Sequence, residues 1–239
     1  MRNIFRSRAW SPFALALILA VLAYPRIASQ LTGQAQSYEA MALVSLAVRH
    51  MGLAFAAIIP AALIGIGAAT LITRPWGREL KPLADILVSA VQAVPPVVVV
   101  ALAFPVVGFG ALPTMIALVC YTIMPVLRGA VAGLTSLPGD VKESALAMGL
   151  NSREIFFQVE APLAFPVVAE ALRIAAILAV ATAAIGAIAG AATLGTPIII
   201  GLQNQNETYL LQGAASTGSL AFLVDALFLM IIGYLSRER

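Results

Sequence analysis

The stretch ESALAMGLNSREIFFQVEAP, Glu143 to Pro162, decides the fold because it is a charged, helix-prone insertion between long apolar runs. Apolar and charged side chains alternate along it, as they do on amphipathic helices that lie outside a hydrocarbon layer. Gly149 is expected to end a first helix, and Asn151 or Ser152 is expected to cap a second one. The stretch therefore predicts a helix, a turn and another helix.

The residues on either side of this stretch predict where it joins the rest of the chain. Asp140 occupies the place of an N-cap residue, and Glu143 stands three residues later, as in a capping box. Pro162 suits the first turn of a following span, because a proline there sacrifices no helix hydrogen bond. We therefore expect 138–162 to leave the membrane and return to it rigidly.

The composition is that of an integral membrane protein. Of 239 residues, 61% are hydrophobic and only 10% are charged, and the mean hydropathy is +0.98. So few charges cannot solvate the surface of a globular protein. The net charge of +3 comes from basic residues at the ends of apolar runs, so it indicates membrane topology and contact with lipid, not nucleic-acid binding. One cysteine and one histidine leave no residue set for a metal site.

Six transmembrane helices are predicted, because about 20 apolar residues are needed to cross the hydrocarbon. Glycine and proline in 108–113 divide one long uncharged run into two of them. The fold class is therefore an all-α polytopic membrane protein with a single transmembrane domain, 1–239, whose core is 46–235. Between 29 and 47 we expect an outer loop and an interfacial helix. The predicted spans are approximately 9–27, 50–72, 83–106, 112–127, 163–189 and 219–235.

Most basic residues lie on one side of the predicted bundle. They precede the first span, follow the second and fourth spans, and end the chain, whereas the other side holds only Arg26 and, at a span boundary, Arg49. By the positive-inside rule, both termini and 138–162 are cytoplasmic. The first span also has the features of a secretory signal, so cleavage near Ala28 remains open.

The order of residues in 143–162 resembles the EAA loop of permease subunits in binding-protein-dependent ABC importers. The pattern of that family is Glu-Ala-Ala, three residues, Gly, nine residues, and Ile-x-Leu-Pro. Both spacings match, although Ser144, Val159 and Ala161 replace an alanine, an isoleucine and a leucine. The resemblance implies a cytoplasmic helix that docks into a groove on an ATPase subunit. The ATPase-coupling residues that it implies are Glu143, Ser144, Ala145, Gly149, Val159, Ala161 and Pro162.

Three shorter segments are similar to the glycine betaine, choline and osmoprotectant branch of these permeases: QAVPP at 92–96, GFGALPT at 108–114, and PVLR at 125–128. The resemblance implies the type I ABC importer permease fold in a bacterial inner membrane. It also implies ABC ATPase subunits, a second permease subunit and an extracytoplasmic substrate-binding protein as partners. This chain itself is expected to be no enzyme and to hold no cofactor, since it lacks a phosphate-binding loop and ATP with Mg²⁺ is bound by the partner ATPase.

Polar and helix-breaking residues within the spans are candidates for the translocation path or its gate. Gln92, Pro95 and Pro96 interrupt the third span, where freed backbone groups need protein or water as partners. For the prolines, a kink that serves only packing is an equal alternative. Asp225 lies in the sixth span, where an unpaired carboxylate costs roughly 2.5–3.5 kcal/mol, so it is expected to face the interior.

One pair of charged residues and the single histidine are each interpreted as structural. Glu170 and Arg173 are three residues apart on one helical face, which predicts a structural ion pair that supports the docking loop. His50 stands beside Arg49 at the outer boundary of the second span, so it is interpreted as an interfacial residue.

Other functions stay open at this point. An ABC importer permease for amino acids or another small polar solute has the same docking loop. A secondary transporter would couple to ions through intramembrane charges and often has inverted repeats, of which no convincing example is found here. A membrane-embedded enzyme is disfavoured, because the chain has neither a His-Glu-x-x-His pair nor a plausible Ser/His arrangement.

Overall fold

The computed structural model describes the backbone of residues 2–235 and the side chains of residues 9–235, and the described backbone is helical and contains no β-strand. The helices are α1 Arg2–Leu22, α2 Pro25–Thr32, α3 Ala40–Ile72, α4 Lys81–Ala93, α5 Pro96–Val107, α6 Ala111–Thr135, α7 Gly139–Ala147, α8 Ser152–Ile155, α9 Ala161–Ala183, α10 Gly195–Gln203 and α11 Glu207–Leu235. A π-helical turn, Phe156–Glu160, joins α8 to α9, and a 3₁₀ segment, Ala184–Ala189, follows α9.

The described residues contain enough long apolar helix for six membrane crossings. Two of these crossings are bent helix pairs, Ala9–Leu22 with Pro25–Thr32 at 72° and Arg78–Ala93 with Pro96–Val107 at 91°. When each bent pair is counted as one crossing, the number agrees with the prediction. The four unbroken crossings are Ala40–Ile72, Ala111–Thr135, Ser152–Ala189 and Glu207–Leu235.

The continuous first span predicted at 9–27 is wrong, whereas the third span, 83–106, is broken before Pro96 as predicted. Tyr24 has an extended backbone before Pro25, and Val94 has one before Pro95. A proline clashes with a helical residue that precedes it, so the chain leaves the helix at both points. Each following helix then starts in a new direction.

Several helices are longer than predicted. Residues 40–47 are the first part of α3 and not an interfacial helix, and α11 begins at Glu207 instead of 219. The 33 residues of α3 extend roughly 50 Å at about 1.5 Å per residue, more than a hydrocarbon layer of about 30 Å. Apolar runs mark only the part of a helix that lies in lipid, whereas backbone hydrogen bonds continue beyond it.

The core forms where α3, α6 and α9 pack closely through small side chains. Ala57 of α3 and Ala179 of α9 are completely buried beside Leu118 of α6. Glycine is required at one contact, because a Cβ on Gly129 of α6 would lie 2.1 Å from the Cβ of Ala171 on α9. Such close contacts give dense van der Waals packing, which is a main source of helix association in a membrane.

Buried polar side chains join helices to one another and to the connecting segments. Gln212 of α11 accepts a hydrogen bond from the backbone N–H of Tyr38 at 2.8 Å and donates to the carbonyls of Ala23 and Tyr38 at 3.2 and 3.1 Å. His50 is fully buried, so its predicted interfacial position is wrong. Its ring bonds the backbone of α9 and of the residue before α10, contacts that give a buried imidazole its partners.

Candidate functional site

The first part of the candidate site is α7, which leaves the bundle after α6. It begins at Gly139, with Pro138 in an extended conformation as its N-cap residue and no side chain capping it. The predicted capping box of Asp140 and Glu143 is therefore wrong. Asp140 already lies in the first turn, where its Oδ1 accepts a hydrogen bond from the backbone N–H of Val141 at 3.1 Å.

Gly149 makes the turn after α7. Its φ of 84° is left-handed, which confirms the predicted cap and which other residues adopt only at a cost. The N–H of Leu150 donates to the carbonyl of Ala145 at 3.2 Å and closes the turn. No atom lies within 4 Å of where a Cβ on Gly149 would be, so this side of the turn is open.

Asn151 caps the second helix, as predicted. Its Oδ1 accepts hydrogen bonds from the N–H groups of Arg153 and Glu154 at 3.0 Å each, and Glu154 Oε2 accepts from the N–H of Asn151 at 2.8 Å. This reciprocal pair satisfies donors that a helix start leaves free. The helix continues through the turn Phe156–Glu160 into α9, so the segment enters the membrane without a flexible break.

The motif residues are divided between the surface and the interior. Glu143, Ser144 and Gly149 are exposed, whereas Ala145 is buried at 1% exposure. Val159, Ala161 and Pro162 are half-buried at the entry to α9, and Pro162 lies in its first turn, as predicted. Apolar side chains are also exposed beside the motif: Leu146 at 59% and Met148 at 73%. The exposed surface at the end of α7 and at Gly149 therefore carries apolar side chains although the segment is charged.

Glu160 is a residue of this site that the sequence reading missed. Its side chain is only 4% exposed, and its two oxygens lie 2.6 Å from Arg74 Nη2 and 2.7 Å from Lys142 Nζ. Arg74 also lies over the ring of Phe156, with its Cζ 5.1 Å from the centroid. A buried carboxylate needs such partners. The available signal was an acidic residue directly before a span, on the same predicted side as the arginine that follows α3.

Arg173 pairs with two carboxylates, Glu170 and Asp225, of which the sequence predicted only the first as its partner. It lies 2.9 Å from Glu170 on its own helix, and its Nε also donates to Oδ1 of Asp225 on α11. Asp225 is therefore paired across two helices, at 15% side-chain exposure against 40% for Glu170. The predicted Glu170–Arg173 pair is confirmed, but its further contact is with α11, whereas the described ion pairs of the docking loop are made by Glu160.

The remaining path candidates lie at the bend between α4 and α5. Gln92 is exposed in the single chain, near the end of α4. Pro95 precedes α5 and Pro96 begins it, so both lie where the bent pair changes direction by 91°. These three residues are apart from the coupling segment and are not brought together with Asp225 by any described hydrogen bond or ion pair.

Sequence comparison shows that the chain is similar to known transport permeases. The family "Binding-protein-dependent transport system inner membrane component" matches residues 61–239. The osmoprotectant import permease protein OsmY of Salmonella typhimurium is 32% identical over 185 residues, which cover 77% of this chain and 78% of the relative. The glycine betaine/carnitine/choline transport system permease protein OpuCD of Bacillus subtilis is 31% identical over 190 residues, covering 79% and 80%.

Solved structures show the same fold. A chain of the MetNI methionine ABC transporter, in an inward-facing form, has a TM-score of 0.72 at 21% identity and covers 81% of this chain and 95% of its own. A chain of an amino acid ABC transporter with histidines has a TM-score of 0.66 at 18% identity, covering 83% and 94%. The predicted type I importer permease fold is thereby confirmed. This multi-pass membrane protein belongs to the family of inner-membrane components of binding-protein-dependent transport systems.

Proposed function

We propose that this chain is the permease subunit of an ATP-driven importer for osmoprotectants such as glycine betaine or choline. The solute class comes from relatives that are about 30% identical over most of this chain and are named for osmoprotectant, glycine betaine, carnitine and choline transport. The two structural neighbours named for amino acids are less than 25% identical, so they inform the fold and do not favour that solute. No separate observation favours a second function.

The proposal of an ATPase partner is supported by the exposed face of α7. Leu146 and Met148 present apolar surface on a segment that contains Glu143 and ends in an open turn at Gly149. Apolar area gains roughly 25 cal/mol per Å² when it leaves water, so a protein groove that covers this face is favoured. The small Gly149 permits close backbone approach. A cytoplasmic ATPase subunit is the partner that the EAA-like order assigns to this face.

The remaining partners follow from the same proposal. A second permease subunit completes the path, and an extracytoplasmic binding protein delivers the solute to it. Both termini and the coupling segment are then cytoplasmic, in agreement with the basic residues around α7 and after α3. Gln92, Pro95 and Pro96 remain candidates for the path. Asp225 is less available for a solute while Arg173 occupies one of its oxygens.

Reconstitution tests this function directly. The chain is assembled with its ATPase subunits and binding protein in proteoliposomes, and uptake of radiolabelled glycine betaine and choline is measured. We expect uptake that requires ATP on the ATPase side and binding protein on the other. Uptake of amino acids instead would make the solute assignment wrong. Uptake driven by an ion gradient without ATP would indicate a secondary transporter and contradict the whole proposal.

A further inference from the structure

A single carboxylate connects three parts of the chain that are distant in sequence. Glu160 stands at the entry to α9, Lys142 belongs to α7, and Arg74 follows the end of α3. Both oxygens of Glu160 are engaged, one by each cation. Because the carboxylate is almost completely buried, loss of either cation would leave one of its oxygens poorly solvated and without a partner.

The attachment of α7 to the bundle is otherwise slight. Ala145 is its one buried residue, and the helix has only nine residues. Isolated helices of that length are marginal in water. In the part of the chain that the structure describes, one ion pair, Arg74–Glu160, joins 139–162 to the end of α3, and Lys142 binds α7 to the same carboxylate. The position of α7 relative to α3 therefore depends on this residue.

Helix α3 is suited to carry a displacement across the membrane. From His50 to Ile72 it rises roughly 33 Å at about 1.5 Å per residue. Its inner end meets Glu160 through Arg74, and its outer part is bonded by His50 to α9 and to the residue before α10. A movement applied at Arg74 thus reaches segments on the opposite side through one continuous helix.

We propose that Glu160 is the positioning residue that transmits movement of the ATPase-docking helix α7 to α3. When the ATPase subunits displace α7, Lys142 moves with it, and the shared carboxylate moves Arg74 and the inner end of α3 in the same direction. The inference rests on the proposed function, because it takes α7 to be the docking helix. It assigns a role to the position that the EAA-like order leaves unspecified, between Val159 and Ala161, and identifies α3 as the helix that receives the movement.

The test measures how strongly the binding protein stimulates ATP hydrolysis in the complete reconstituted complex. Stimulation requires communication between the outer face and the ATPase subunits, and it is expressed relative to the basal rate of the same variant. We expect Glu160→Gln and Arg74→Gln each to lower stimulation at least tenfold. Glu160→Asp keeps the charge, so we expect it to retain at least a third of the stimulation. A role in folding alone would lower basal and stimulated rates together.

Matched controls lie close by. Glu79→Gln and Arg78→Gln make the same chemical changes at exposed positions that have no described ion pair, within the same connection after α3. We expect both to stay within twofold of the unaltered complex. If Glu160→Gln does not assemble, Arg74→Gln decides, since that side chain is 24% exposed.

Two results would overturn the inference and are distinguishable from failure of the proposed function. Stimulation within twofold of the unaltered complex in Arg74→Gln would show that the link carries no movement. An equal loss in the two controls would show a general effect of charge. If the unaltered complex itself neither binds an ATPase nor is stimulated, the proposed function fails first, and the inference fails with it.

Discussion

The ring of His50 hydrogen-bonds the backbone of Val180 and of Leu194. Nε2 donates to the carbonyl of Val180 at 2.8 Å, and Nδ1 accepts from the N–H of Leu194 at 3.2 Å. A carbonyl can only accept and an N–H can only donate, so the ring must be neutral with its proton on Nε2. This one side chain thereby connects α3 with α9 and with the start of α10.

Replacing His50 with Ala is expected to destabilise the protein. The change leaves the carbonyl of Val180 and the N–H of Leu194 without these partners in the interior, at a cost of about 1–3 kcal/mol for each group. The apparent melting temperature in detergent should fall by about 5 °C or more. Arg49→Ala is the control, since Arg49 is the exposed neighbour on the same helix. Equal melting temperatures for the two variants would contradict a structural role of the imidazole.

Replacing Gly149 with Asn is expected to weaken ATPase docking with little effect on folding. Asn tolerates the left-handed backbone better than most residues, and a Cβ at this position meets nothing within 4 Å in the chain. The added bulk therefore acts mainly on a partner. Pull-down of ATPase subunits should fall at least tenfold. Gly149→Asp should go further and abolish uptake in vesicles while membrane insertion persists.

The chain offers a matched control for this substitution. Gly33 also has a positive φ, 71°, and open space around its Cβ position, but it follows α2 on the predicted outer side. Gly33→Asn should leave docking unchanged and alter the melting temperature by no more than Gly149→Asn does. Normal docking and uptake in both Gly149 variants would remove the support for α7 as the docking helix.

The predicted orientation is tested by labelling single cysteines in a Cys120→Ala background. Ser152 and Asn204 are both exposed, the first at the start of α8 and the second after α10. Ser152→Cys should react with an impermeant maleimide only after the inner face is opened, whereas Asn204→Cys should react in intact cells. The reverse pattern would place the coupling segment outside the cell.

Arg173→Gln is expected to destabilise the bundle more than Asp225→Asn. Loss of the arginine leaves two carboxylates without their cation, whereas loss of the Asp225 charge leaves Arg173 paired with Glu170. Breaking a largely buried pair costs about 3–5 kcal/mol, and partial exposure places the effect near the lower value. Thermal unfolding in detergent measures the order. Arg128→Gln, at an exposed position on α6, should have little effect. A smaller effect of Arg173→Gln than of Asp225→Asn would make this charge assignment wrong.

The complex without its binding protein should show no saturable binding of choline or glycine betaine at micromolar concentration. A quaternary ammonium is best held by several aromatic faces, but the chain is only 7% aromatic. Trp10, within α1, and Trp76, after α3, are both exposed, and the described ring contacts join rings only in pairs. Isothermal titration of the solubilised complex is the measurement. A one-to-one micromolar isotherm that Gln92→Ala abolishes would show that the permease itself recognises the solute.

The sequence alone predicted the membrane class, the number of crossings, and a helix, a turn and a second helix within 143–162. These features depend on neighbours in the chain. Apolar runs indicate which residues leave water, a left-handed turn at Gly149 depends on that residue's own freedom, and the cap at Asn151 is a contact over three residues. The capping error at Asp140 was equally local: the helix begins two residues earlier than predicted, at Gly139 after Pro138.

Tertiary structure alone decided the partners of the charged and polar side chains. Glu160 pairs with Arg74 and Lys142, Asp225 pairs with Arg173, and His50 is buried instead of interfacial. Such pairs join helices far apart in sequence, and they depend on how each helix is rotated about its axis and how closely it packs. That rotation is set by the fit of small side chains such as Gly129 against Ala171. A hydrophobic pattern therefore identifies which residues cross the membrane, whereas only the packed bundle determines which charged side chains pair with each other.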